Sequence, residues 1–180
     1  MALVARAATC TVQKGGVVRM ALADRADIAS VTVSADKEIT AITMVATKLF
    51  YQFSFQAETL KVTEDGSLEN LSSLFVQKIQ GTWQGWSLAD RKSLVSLYNS
   101  SACGMVCIAE LENGSLIIFG INPDYPTVED KYVVRMETSK FDSGAAFNDP
   151  IKNDLVLAAR SSSPITKFTT ANGWDDVPLS

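Results

Sequence analysis

Carboxylates are the side chains of this chain whose grouping could do chemistry: Glu64-Asp65 with Glu69, Asp124 with Glu129-Asp130, and Asp175-Asp176. Clustered acids can hold calcium, but that requires oxygens at the D-x-[DN]-x-[DN]-G spacing, and none of the three groups has it. They could also serve as a paired general acid and base of a glycosidase, since two carboxylates far apart in sequence can meet in space. Nothing in the spacing selects two of them over the rest. Solvated turn residues account for all three groups without chemistry.

The absence of histidine removes Ser-His-Asp and Cys-His nucleophile systems and the commonest metal ligand together. Cys10, Cys103 and Cys107 form an odd set with no C-x-x-C pair, so neither a disulfide framework nor a zinc knuckle is indicated. On one strand, Cys103 and Cys107 would share a face roughly 13 Å apart, too far to pair. Each reads as a small buried hydrophobe, which suits a reducing compartment or a particle assembled inside a cell. Gly15-Gly16 and the Gly81/Gly85 pair are too sparse to cradle a phosphate. No catalytic residue, cofactor or metal is therefore expected. Trp83 and Trp86 could form a sugar-stacking or protein-binding platform, although such pairs more often seal the end of a sheet against a following helix.

These residues must be positioned by a chain of 180 residues, 47% hydrophobic, enough for one domain with a substantial core. A formal charge of −4 and a pI near 4.8 argue against tight binding to a phosphate backbone. The apolar run before Arg6 is too short for a secretory signal, and no stretch approaches the roughly 20 apolar residues that span a bilayer. A soluble, unexported protein with no membrane partner is expected.

Alternation dominates the elements. Leu49, Tyr51, Phe53, Phe55 and Ala57 fall on one face of a long strand and Gln52, Ser54, Gln56 and Glu58 on the other. Glu64-Asp65-Gly66-Ser67 supplies a turn, and Leu74 to Thr82 a further strand that Gly81 and Gly85 end. Lys37, Lys48, Lys61 and Lys78 read as protection of sheet edges. Ser87-Leu88-Ala89-Asp90 resembles a capping box, opening a helix over about 88–98 with an apolar stripe of Leu88, Leu94, Val95, Leu97 and Tyr98, stopped at Asn99-Ser100-Ser101. Asn113-Gly114 between the two apolar, β-rich runs of Met105 to Gly120 predicts a hairpin with a type I′ turn. Residues 131–139 and Asp154–Arg160 complete a mainly β, α+β fold, an antiparallel sandwich or barrel of about eight or nine strands with one flanking helix. The domain is expected over residues 1–160, with a possible arm at 57–72 and an irregular tail over 161–180.

The helix, then Met105 to Gly120 with its "Asn-Gly, apolar, Phe-Gly" hairpin, then Asp142-Ser143-Gly144 before Leu155–Arg160, resembles the tail tube and ring proteins of tailed bacteriophages, those of crAss-like phages above all. The likeness covers residues 50–160, and departs from the pattern at residues 121–130, which lack a Gly-rich link. It implies a virion structural protein, assembled in the host bacterial cytoplasm, whose copies form a homo-oligomeric ring or tube with neighbouring tail or connector proteins. DNA would pass through its lumen without specific binding. On that basis Gln52, Ser54, Gln56 and Glu58 are the candidate lumen face, acidic overall, and Lys61, Glu64, Asp65 and Glu69 the candidate arm between subunits. The alternative is a non-catalytic carbohydrate- or receptor-binding β-sandwich using Trp83 or Trp86.

Overall fold

The computed structural model describes residues 15–56, 58–69, 72–84, 87–127, 131–145 and 148–180. Cys10, Ala57, Gly85, Trp86, Glu129 and Asp130 lie outside them, as does the side chain of Glu69. The strands are Val17–Asp24 (β1), Ile28–Val33 (β2), Ile39–Met44 (β3), Tyr51–Phe53 (β4), Lys61–Glu69 (β5), Ser72–Gln84 (β6), Met105–Leu111 (β7), Leu116–Phe119 (β8), Arg135–Asp142 (β9), Lys152–Ser161 (β10) and Thr166–Phe168 (β11), with one α-helix, Leu88–Cys103 (α1), and 3-10 turns at Arg25–Asp27 and Gly173–Asp176. They form a seven-stranded sheet, ordered β2-β3-β11-β8-β7-β1-β4, and a four-stranded sheet, β5-β6-β10-β9. The mainly β, sandwich-like α+β class read from alternation is the observed one.

The two sheets differ in what covers them. Alternate residues of β10 are buried, among them Asn153, Leu155, Leu157 and Ala159, while the residues between are not. The four-stranded sheet is thus apolar on one face and wet on the other. The first five residues of β7 are all buried, because both faces of the larger sheet are covered. One face contributes Met20, Leu22, Met105 and Cys107 to a core shared with Ile79, Leu155 and Leu157 of the smaller sheet and Leu97 of α1. The other packs Ala21, Val106, Ile108 and Ile118 under Phe50, Phe168, Trp174 and Val177.

That second core overturns the expectation of an irregular tail. The final twenty residues hold β11, antiparallel to β8 and parallel to β3. They also hold the turn carrying Trp174 and a return segment in which Phe50 N–H donates to Pro178 C=O at 2.7 Å and Ser180 N–H to Phe50 C=O at 3.0 Å. The same pairing corrects the long strand at 49–57. Only Tyr51–Phe53 pair with β1, Phe50 turns fully inward, and Tyr51 is 55% exposed.

Other local expectations shift for stated reasons. Glu64 to Ser67 make no turn but pair along β6, the reversal lying between Glu69 and Ser72. β6 runs through Gly81, where a Cβ would stand 2.5 Å from the Phe55 ring. The Asn113-Gly114 hairpin exists, but its loop spans three residues: Gly114 N–H donates to Leu111 C=O at 2.8 Å and Leu111 N–H to Ser115 C=O at 2.9 Å. Only Gly114 has positive φ, +78°, so this is a type I turn with a glycine bulge rather than type I′. α1 has the expected capping box at Ser87 and Asp90. It continues past Asn99 to Cys103. It buries Leu97 and Ser101 and packs Leu94, whereas Leu88, Val95 and Tyr98 face outward and are at least half exposed. Cys107 is buried and Cys103 exposed at the helix end. Of the four lysines, only Lys61 stands on an outer strand; Lys78 is internal to its sheet, Lys37 pairs with Asp124 at 3.1 Å and Lys48 with Asp27 at 3.1 Å.

Candidate functional site

After β4 the chain leaves the large sheet and crosses to the small one over residues 54–60. Gln56 N–H donates to Thr82 C=O at 2.8 Å, Thr59 Oγ1 donates to Gln56 C=O at 2.7 Å, and Thr82 N–H donates to Thr59 Oγ1 at 3.1 Å. Glu58 takes φ +63° to make the bend. Phe53 and Phe55 point inward from this crossing and stack on Trp83, with centroids 6.2 and 5.5 Å away. Trp83 therefore seals the end of the sheets, as its position before a helix suggests.

Between the crossing and α1 lies a cleft of about 910 Å³. One wall carries Gln52, Ser54 and Gln56, the other Ser93 and Ser96, and Trp83 lies among the lining residues. Its charged members are largely committed. Asp27 holds Lys48, whose pKa the hydrogen bond and charge of Asp27 raise above the ordinary lysine value. Asp90 is bound by Ser87, which holds its carboxyl below the usual carboxylate range. Asp24 Oδ1 is buried and accepts no hydrogen bond.

The candidate lumen residues Gln52, Ser54, Gln56 and Glu58 are exposed, but Gln52, Ser54 and Gln56 border this cleft, beside the end strand of the large sheet, and Glu58 lines a separate, smaller hollow. The candidate arm residues do not act together. Lys61 and Asp65 pair with Gln80 and Val76 across β6 and share their wet face, while Glu64 turns inward. There it accepts from Gln77 Nε2 at 3.1 Å and from the Ile165 N–H, tying β5 and β6 to the segment before β11. The tip of the β5–β6 hairpin does project. β10 pairs with β6 only as far as Phe75, and beyond that point Leu68 is 70% exposed.

A second surface was not singled out by the sequence. Among the described side chains, the wet face of the four-stranded sheet carries six basic residues, Lys61, Lys78, Arg135, Lys140, Lys152 and Arg160, and four acidic ones, Asp65, Glu137, Asp142 and Asp154. Lys78 pairs with Glu137 at 2.8 Å, and Thr82 donates to Asp154 at 2.7 Å. The outer strands β5 and β9 are nine and eight residues long and pair with no further strand among the described residues. At the start of β9, Met136 N–H donates to Ser101 Oγ and Arg135 to Ala102 C=O, so α1 covers that corner of the edge.

No family model, curated protein or solved structure matches the chain. No three His, Cys, Asp or Glu side chains among the described residues are placed to hold a metal ion, and Glu64, Asp124 and Asp176 from the three predicted acidic groups are each engaged in separate structural contacts. Asp124 pairs with Lys37, and Asp176 accepts from Asn172 N–H at 2.8 Å, which lowers its pKa. The wet sheet face could have been found in the sequence from the strict alternation of 152–161 had its even positions, Lys152, Asp154 and Arg160, been read as a surface.

Proposed function

We propose that this protein is a structural subunit whose copies join into a ring or tube of a phage tail or head-tail connector. The observation that carries the reading is the four-stranded sheet: wet on one face, cored on the other, and ending on both sides in strands of nearly equal length, with the β5 edge open and the β9 edge open beyond the corner that α1 covers. Such edges are templates for pairing with another chain. A copy's β9 laid beside a neighbour's β5 would continue the sheet, each subunit adding roughly 20 Å of width at ~4.8 Å per strand.

In that arrangement the wet sheet face, rather than Gln52, Ser54, Gln56 and Glu58, is the better wall for a lumen. It also replaces the idea of an acidic lumen drawn from net charge. Among the described residues its charges are mixed, with Lys78 and Lys152 paired to Glu137 and Asp142, so a duplex would meet alternating signs and a small positive excess rather than a uniformly basic wall. The hairpin tip reaches beyond the sheet toward the next layer. Negative-stain electron microscopy of the purified full chain tests the reading: rings or stacked tubes are expected, and a strictly monomeric species at high concentration overturns it.

A further inference from the structure

We propose that the cleft between α1 and residues 51–56 is a binding site for a neutral, hydroxyl-rich ligand, a sugar unit of a glycan. This rests on the cleft alone and is independent of the ring reading. At about 910 Å³ the cleft falls in the size range that encloses a small ligand. Trp83 and the two rings stacked on it, Phe53 and Phe55, all line the cleft and give it an aromatic wall against which the C–H groups of a pyranose can pack. Facing it are neutral groups that both donate and accept, Gln52 and Ser54 from one wall and Ser93 and Ser96 from the other, none using its side chain in a hydrogen bond among the described residues. An apolar ligand would leave these groups unpaired, whereas sugar hydroxyls match them in both roles.

The charges point the same way. Asp27 with Lys48 and Asp90 with Ser87 are already engaged. The remaining pair, Asp24 and Lys92, is of opposite sign, which favours a neutral ligand over an ionic one.

Two arms separate free from displayed sugar: saturation-transfer NMR with neutral oligosaccharides in solution, and an array of immobilised neutral and acidic glycans. Binding in either arm is expected, weakened at least about tenfold by Trp83→Ala. Because Trp83 also supports the core, Ser96→Trp serves as the second variant; it projects bulk from an exposed helix position across the cleft and should abolish binding while leaving the thermal midpoint unchanged. Absence of binding in both arms, binding confined to acidic glycans or to peptide, or binding undiminished in Ser96→Trp would each overturn the assignment.

Discussion

Phe55 occupies the space that a side chain at residue 81 would need: a Cβ built on Gly81 stands 2.5 Å from the Phe55 ring and 3.0 Å from Leu60. The glycine lets the crossing segment lie flat on β6, and the cleft wall is fixed by that contact. Gly81→Ala should destabilise the protein by about 1–3 kcal/mol through overpacking. Urea unfolding followed by tryptophan fluorescence would measure it, and a change within about 0.5 kcal/mol would show that the ring yields freely.

The helix cap gives a pH-dependent prediction. Ser87 Oγ accepts from Asp90 N–H at 3.1 Å, and Ser87 N–H donates to the Asp90 carboxylate at 2.8 Å. Ser87→Ala should cost about 0.5–2 kcal/mol. Because folding lowers the Asp90 pKa, its contribution is present above the unfolded-state value, near 4, and is lost as pH falls through the lower folded value. Thermal melts across that range should show the wild type losing part of its advantage over Ser87→Ala as acid is added; a gap independent of pH would contradict this.

The hairpin tip is separable from the fold, but β5 as a whole is not. Deleting Lys61 to Glu69 would remove an entire strand and the Glu64 bonds to Gln77 and Ile165. Replacing only residues 67–74 by Asn-Gly joins Gly66 to Phe75 through a two-residue turn at their existing register. This variant should remain folded, with an unchanged circular dichroism spectrum, yet fail to assemble. Normal rings from it would sink the assignment of the tip as an arm.

Trp174, 4% exposed, is set in the core behind the large sheet, with the Arg19 guanidinium 4.8 Å from its ring. Trp174→Ala should cost about 3–5 kcal/mol, and a chain ending at residue 164 should show no cooperative unfolding transition. Calorimetry on both checks this. A truncated chain melting like the full one would mean that the final segment is dispensable.

How far sequence reading reached follows from the range of the interactions. β10 was legible because one face is apolar throughout, and the Asn113-Gly114 hairpin because its partners are close in sequence. The turn type was missed because a bulge changes only which residues take positive φ. The helix was ended too early at Asn99-Ser100-Ser101, polar residues that are retained because Ser101 Oγ receives the Met136 N–H of β9. The tail looked irregular because Phe168, Trp174 and Val177 are isolated apolar residues among serines and threonines; their burial depends on strands far away in sequence. The cleft is likewise formed by two segments with nothing local to announce it.

The position of β11 has a consequence for how the protein comes into being. Among the described strands, β2 and β3 join the rest of their sheet only through β11, and every strand from β4 to β10 is synthesised in between. The early hairpin must wait, its inner edge unsatisfied, until the last strand arrives to fill the gap. Contacts of such long sequence separation slow folding and lengthen the time that strand edges stand open. A chain that finishes its own sheet last keeps an intramolecular edge available for as long as it is being made, and crowded copies could pair there wrongly before β11 closes it.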